Sequence, residues 1–266
     1  MKKVYIICMA IFFCAAVASA DPVDEGLPKT ATQQIKNSTR QMINQSFNSE
    51  HVIDMTRQML ANNFSQQQVL QAHGILMSAQ KQGLQTEPIM NKAFEGLAKQ
   101  VKAKMVVQAM EQVQSRNAFA SKQAKIITND RAKANQMAAI LAGSMAAGMT
   151  HEDAGRIMQA LQERTQTMTK TRAENLALQT FMTTRTMSRL GMQSKSVGNS
   201  VCQALQQGYS AQEMHNMQNT IMEKSKYGFS KIFSRSHSSN AGQHGDQESM
   251  RGHGGGSGGG MGGGHM

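Results

Sequence analysis

Residues 208–213 read Gly-Tyr-Ser-Ala-Gln-Glu, and residues 148–153 read Gly-Met-Thr-His-Glu-Asp. In each stretch an apolar residue follows the glycine, then comes Ser or Thr, and an acidic residue stands three positions further on. The glycine can end one helix in the left-handed conformation, and the Ser or Thr with its acidic partner can start the next as a capping box. Residues 64–68, Phe-Ser-Gln-Gln-Gln, repeat the capping part of the pattern. The chain is therefore predicted to be a series of helices joined by tight corners.

The sequence between these corners has helical period from residue 30 to residue 226. The chain has no Trp, three Pro and 23 Met, and it is rich in the helix formers Ala, Gln, Lys and Leu. We expect an all-α fold, an elongated antiparallel helical bundle or a helical repeat array. The two longest helical stretches, residues 103–147 and 151–190, form its centre, and helix propensity drops within the first at residues 128–130.

An internal repeat is visible at an offset of 108 residues. Residues 83–113 align without gaps with residues 191–221, beginning with Gly-Leu-Gln-Thr in the first copy and Gly-Met-Gln-Ser in the second. The alignment indicates a diverged duplication. The alternative is that two unrelated amphipathic helices with similar caps align equally well.

Residues 1–20 have the pattern of a secretory signal peptide. Lys2 and Lys3 precede a short apolar run, and Ala-Ser-Ala at the end provides the small residues that signal peptidase accepts. A lipoprotein signal at Cys14 is disfavoured by the phenylalanines before it, and the run is shorter than the roughly 20 residues of a membrane span. The predicted mature protein is periplasmic or extracellular, has no later membrane span, and begins with a disordered lead-in at residues 21–29.

The net charge and the cysteine content limit the kinds of partner that the protein can have. Of the 28 Lys and Arg residues, Lys2 and Lys3 leave with the signal, so 26 remain against 17 acidic residues, a net charge of +9. This excess favours anionic partners such as the envelope surface, and nucleic acid is less natural for an exported protein. Cys202 is the one cysteine outside the signal. It is either a buried free thiol or the link of an intermolecular disulfide.

A basic aromatic segment follows the helical region, and we place it at residues 227–239 with its first basic residues just before. Its candidate contacts to a membrane or another anionic surface are Lys224, Lys226, Tyr227, Phe229, Lys231, Phe233 and Arg235. Rings that insert and cations that meet head groups suit such a surface. The alternative is the solvated basic face of a helix end.

Residues 240–266 form a glycine-rich tail that is predicted to be disordered. Its candidate metal ligands are His244, His253, His265, Met250, Met261 and Met266. Imidazole suits zinc, nickel and copper, and thioether sulfur suits Cu(I). The tail therefore predicts either a labile Zn, Ni or Cu site or a simple linker. No other cofactor is expected.

Sequence patterns of catalysis are missing: the chain has no GxSxG, HExxH, CxxC or phosphate-loop glycine motif. His151, Glu152 and Asp153 stand together, but they fall in the first turn of a predicted helix, where acidic residues complement the helix dipole. We expect no enzyme. The favoured function is that of a scaffold or chaperone-like protein that binds a protein partner or itself, and metal sequestration by the tail is the alternative.

Two resemblances add to this interpretation. Gly83–Val101, with Pro88, Lys92 and the run Glu-Gly-Leu-Ala-Lys at residues 95–99, resembles a repeat of uncharacterised exported helical proteins of Gram-negative bacteria. That resemblance implies a helical fold and no known activity. Residues 252–266 resemble in composition the tails of zinc-resistance-associated periplasmic chaperones, which implies a metal-linked chaperone role.

Overall fold

The computed structural model describes the backbone of residues 21–237 and the side chains of residues 21–226. This part of the chain contains eleven α-helices and no strand. In chain order the helices are α1 (Pro22–Gly26), α2 (Gln33–Asn44), α3 (Ser49–Ala61), α4 (Gln66–Lys81), α5 (Glu87–Ala98), α6 (Ala103–Ile127), α7 (Arg131–Ala146), α8 (His151–Thr165), α9 (Lys170–Arg189), α10 (Ser194–Gln206) and α11 (Ala211–His237). The predicted all-α fold is confirmed. Of the described residues, 21–222 belong to one compact unit, and those from 223 to the end of α11 belong to a second.

Two hydrophobic cores hold the first unit together. Helices α1–α5 and the first half of α6 surround the first core, which includes the fully buried Met42, Met55 and Leu76. The second half of α6, helices α7–α10 and the start of α11 surround the second core, with Phe181 at its largest fully buried position. Methionine adapts its shape to irregular gaps, which suits cores that contain no tryptophan and few other rings.

The predicted helix corners are present. Ser65 and Gln68 form a reciprocal capping box, and Ser210 and Glu213 form another, with the Ser210 amide donating to Glu213 at 2.7 Å. Thr150 accepts the amide of Asp153 at 3.1 Å, as predicted. The Thr150 amide, however, donates to the Ser194 hydroxyl at 2.9 Å instead of to the acidic side chain.

The order of helices repeats along the chain. Residues in the left-handed conformation end equivalent helices in three pairs: Ser46 and Gly148, Gly83 and Gly191, Gln100 and Gly208. The first pair is 102 residues apart and the other two are 108 apart. Helix α8 is two residues longer than α3 (15 against 13), and α9 is four longer than α4 (20 against 16), which accounts for the difference. This agreement favours the duplication, with α2–α6 as one copy and α7–α11 as the other.

The two long central helices are each divided. The first breaks at residues 128–130, where the propensity drop predicted a break, and Asp130 caps α7 by accepting the amides of Ala132 and Lys133. The prediction of one uninterrupted helix over residues 151–190 was wrong, because α8 ends at Thr165 and α9 begins at Lys170. The Thr165 hydroxyl donates to the backbone oxygens of Leu161 and Gln162. Thr180 and Thr184 make the same bond inside α9 without ending it, so this bond alone does not explain the break.

The prediction that residues 21–29 form a disordered lead-in was also wrong. This stretch contains α1, which Asp21 caps by accepting the amide of Val23 at 2.9 Å. Val23 and Leu27 are buried in the first core. Asp21 and Asp24 pair with Arg40 of α2, and Asp24 also pairs with Lys36. The sequence pattern missed this helix because it has five residues and is held by tertiary contacts instead of by its own propensity.

Candidate binding groove between the two cores

Helix α6 connects the two hydrophobic cores. Its first half buries Met110 in the first core, and its second half buries Ala120 and Ala124 in the second. The short connection at residues 128–130 turns the chain, and α7 packs against α6. The surface between α6 and α7 therefore lies where one core ends and the next begins.

A groove of about 280 Å³ opens at this surface. Its residues come from the α4–α5 corner (Gly83, Leu84, Gln85 and Pro88), from α6 (Val113, Arg116, Asn117 and Ser121), and from α7 (Asn135, Ala138, Ala139, Ala142, Gly143 and Ala146). Steps of three or four residues place each helical set on one face of its helix. Gly83 has a φ of 69°, a conformation that glycine adopts without strain, and so permits the sharp turn from α4 into α5.

Small residues on α7 leave the space that the groove occupies. Ala138, Ala142 and Ala146 follow one another at helical spacing and end at Cβ, while α7 turns Met137 and Leu141 into the second core. Ala142 is itself buried in the second core and Ala138 packs against it, so the groove lies over small side chains at the edge of that core.

Polar side chains converge on this apolar floor. Gln85, Arg116, Asn117, Ser121 and Asn135 all line the groove. Within residues 21–226, none of these five side chains makes a hydrogen bond or an ion pair with another residue. Together they offer amide, hydroxyl and guanidinium donors, and amide and hydroxyl acceptors, to a molecule that enters the groove. A mainly apolar opening with a few convergent polar groups is typical of a ligand site.

The charges around the groove favour an anion. Arg116 is half-buried, and no Asp or Glu is among the residues that line the groove. The first turn of α5 reaches the groove at Pro88, and Thr86 makes no side-chain capping bond there. Pro88 has no N–H, however, and the Ile89 amide donates to the Thr86 carbonyl at 3.1 Å, so this turn adds little positive charge to the groove. Glu87 lies in the same turn, but it is exposed and does not line the groove.

A second opening of about 260 Å³ adjoins α6 and shares Arg116 with the groove. Its other residues are Gln112, Ser115, Met145, Met149 and His151. The His151 ring meets the edge of the Phe119 ring at a centroid distance of 5.0 Å and an interplanar angle of 76°. This contact packs the start of α8 against α6. Arg116, which is also on α6, lines both openings.

The residues predicted to bind metal in the tail, His244, His253, His265, Met250, Met261 and Met266, lie outside the described residues. Within the described part of the chain, no three His, Cys, Asp or Glu side chains come together as metal-ion ligands. The metal site of the tail stays a prediction.

The basic aromatic segment continues α11, whose backbone is helical through His237. A separate segment beginning at residue 227 was therefore wrong in its boundary. Lys224 and Lys226 are exposed on this helix. The side chains of Tyr227, Phe229, Lys231, Phe233 and Arg235 lie outside the described residues, and binding to an anionic surface stays a prediction.

Several methionines at helical spacing lie in the two cores. Met55 and Met59 are fully buried in the first core, and Met145, Met149 and Met214 are buried in the second.

Cys202 is half-buried against the second core, and burial raises the pKa of its thiol. A raised pKa lowers the thiolate fraction and hence the reactivity of the thiol. These features favour the buried-thiol alternative. An intermolecular disulfide stays the other one.

His73 is fully buried between two hydroxyl groups. Thr56 donates to the backbone oxygen of Val52 at 2.7 Å, so its oxygen accepts the Nε2 proton of His73 at 2.9 Å. The Ser38 hydroxyl then donates to Nδ1 at 2.9 Å. Burial lowers the pKa of His73 to about 4, so the ring is neutral near pH 7. We interpret the network as a structural contact, because both ring nitrogens are already bonded and no carboxylate is bonded to either.

Sequence reasoning missed the groove. Arg116, Asn117, Asn135 and the alanines of α7 were all assigned to one ordinary helical stretch, residues 103–147. The available signal was the Ala-x-x-x-Ala spacing at residues 138, 142 and 146. Its meaning depends on which residues α6 places opposite, and that pairing requires the tertiary structure.

Comparison with protein-family models, curated proteins and solved structures gives no match. The two resemblances found in the sequence therefore stay predictions. Among residues 21–237, no helix is both long and apolar enough to span a membrane.

Proposed function

We propose that this protein is an exported, non-catalytic binding protein, a scaffold or chaperone-like molecule that holds a partner in the groove between its two cores. The observation that carries the proposal is the group of five unpaired polar side chains around the alanine floor of the groove. Gln85 is exposed and the other four residues are half-buried, so all five have polar groups available to a ligand at a concave site.

The rigid frame around the groove supports a binding role. Each wall is part of a helix anchored in a core, as Met110 anchors α6 and Leu141 anchors α7. Binding sites on anchored helices keep their geometry, so a partner meets a preformed surface and less ordering entropy is lost on binding.

Site-specific photo-crosslinking tests this proposal. A photoreactive phenylalanine analogue replaces Ala139, which is exposed in the groove, or Gln203, which is exposed on α10 away from it. In cells that naturally produce the chain, we expect one discrete crosslinked product from position 139. Position 203 serves as the matched control.

Two results would contradict the proposal. One is the same pattern of products from both positions, because adducts would then reflect random collision. The other is no product from position 139 when the labelled protein is folded and present at its normal level.

A further inference from the structure

The chemistry of the groove identifies a ligand class, and this step rests on the proposed function. We infer that the groove binds the free C-terminal end of an extended polypeptide whose last side chain is apolar. In this arrangement Arg116 takes the terminal carboxylate, the amides of Asn117 and Asn135 take backbone groups, and the alanines of α7 take the last side chain.

Arg116 is suited to bind a carboxylate. Arg116 is half-buried and lines both openings beside α6, and its guanidinium has no acidic or hydrogen-bonding partner within residues 21–226. A guanidinium offers paired N–H donors that match the two oxygens of a carboxylate.

The remaining polar residues of the groove favour a peptide over a fatty acid as the ligand. Gln85, Asn117 and Asn135 each carry a carbonyl oxygen that accepts hydrogen bonds. A fatty acid has no N–H group for these acceptors, so the exposed Gln85 and the half-buried asparagines would keep water as their partner. A peptide backbone presents both N–H and C=O groups, so it can satisfy donors and acceptors along the groove.

The size and floor of the groove fit a chain end. A volume of about 280 Å³ lies just below the range of roughly 300–1,000 Å³ that is typical of ligand pockets. It therefore suits a few terminal residues and not a long segment. The alanine methyl groups of Ala138 and Ala142 form an apolar floor for a side chain such as leucine. The remainder of the partner continues into solvent.

The experiment measures binding of two labelled peptides to the protein by fluorescence anisotropy. One probe is fluorescein-Gly-Ser-Gly-Ala-Ala-Leu with a free C-terminal carboxylate, and the other is the same peptide as its C-terminal amide. We expect the free acid to bind on the order of 10-fold to 100-fold more tightly than the amide, the range typical of a charge-assisted hydrogen bond.

Variants assign the difference to one residue. Arg116→Gln should weaken binding of the free acid by a similar factor and leave binding of the amide unchanged. Arg172→Gln is the matched control, because Arg172 is exposed on α9, has no partner within residues 21–226 and does not line the groove. Ala139→Trp should abolish binding of both peptides. Circular dichroism verifies that each variant is folded.

Three results would overturn the inference. Equal affinity for acid and amide would remove the carboxylate from recognition. Displacement of the bound peptide by octanoate at comparable concentration would make the ligand an aliphatic acid. No saturable binding of the free acid up to about 1 mM, a free energy of about −4 kcal/mol, would exclude a peptide end. If position 139 still gives its crosslink in that last case, the proposed function stands and the ligand class is wrong.

Discussion

His73 shows how one core position can be filled in two ways. With the offsets of 102 and 108 residues, Ser38, Thr56 and His73 in the first half correspond to Ile140, Met158 and Phe181 in the second. The first set forms a hydrogen-bonded network, and the second set packs as apolar side chains. The network therefore occupies a place that the fold can also fill without polar groups.

Replacing the network by its counterpart should leave stability unchanged or raise it. We expect Ser38→Ile, Thr56→Met and His73→Phe together to cost nothing, because exchanging all partners for apolar groups of suitable shape avoids unpaired polar atoms. Thr56→Val alone should cost about 1–3 kcal/mol, since it leaves the Nε2 proton of His73 buried without an acceptor. Urea denaturation measures both. A triple variant less stable than the single variant would contradict this account.

The lowered pKa of His73 predicts how stability depends on pH. Its folded pKa is about 4, whereas an unperturbed histidine titrates near 6.5. Between these values the unfolded chain binds the proton and the folded chain does not, so stability falls as the pH decreases from about 6.5 to about 4. The loss attributable to this residue is on the order of 3 kcal/mol, because each pKa unit corresponds to about 1.4 kcal/mol.

Denaturation curves at pH 7, 5.5 and 4.5 measure this loss. The triple variant without His73 is the control, and its stability should decline less steeply over the same interval. Groups such as Glu174, whose pKa is lowered by the Lys133 ammonium beside it, lose their stabilising contribution only at the acidic end. Parallel curves for the two proteins would show that His73 does not cause the slope.

At the scale of the helix, Ser46 and Gly148 occupy the same place in the two halves. Both end a helix in the left-handed conformation, with φ of 69° and 107°. A Cβ added at Gly148 would meet no atom within 4 Å, so a substitution there changes backbone strain alone. Substitutions at these positions therefore measure the free-energy cost of the left-handed backbone conformation separately from that of steric crowding.

Opposite substitutions should therefore have opposite effects. We expect Gly148→Ala to destabilise the protein by about 1 kcal/mol, because alanine strains a positive φ. Ser46→Gly should stabilise it by up to about 1 kcal/mol for the same reason. Chemical denaturation of the two variants beside the unchanged protein measures both. Effects of the same sign would mean that the corners do not limit stability as described.

The predictable parts of this fold are those set by local sequence. The corner at Gly208–Glu213 follows from glycine conformation and capping chemistry, which involve neighbouring residues only. Helix α1 did not follow, because Val23 becomes helical by packing into a core made by distant residues. The groove did not follow either, since Arg116 and Ala142 belong to different helices whose pairing requires the whole structure.

At the scale of the whole molecule, the groove lies where the two hydrophobic cores meet. The same order of helices builds each core, and α6 belongs to both. Because the second half of α6, which belongs to the first copy, packs into the second core, the two copies meet at a junction that neither would have alone. The candidate site lies at that junction, which is a common place for ligand sites between structural units.

The tail carries the separate metal prediction. Calorimetric titration with Zn(II), Ni(II) and, without oxygen, Cu(I) should show tight binding by residues 21–266. A chain ending at Ser239 should lose it, and so should a full chain with His244, His253 and His265 replaced by Gln. The physical reason is that imidazole and thioether groups on glycine spacers can gather around one soft ion. Equal binding by the full and shortened chains would reduce the tail to a linker.

The central claim is that ligands bind in the groove between the cores, and alanine methyl NMR tests it most directly. The protein is labelled at its alanine methyl groups and titrated with the free-acid peptide. We predict saturable shifts of the Ala138, Ala139, Ala142 and Ala146 signals, while Ala61 and Ala98, which are exposed elsewhere, stay unchanged. No shifts, or shifts centred on residues outside the groove, would contradict the account.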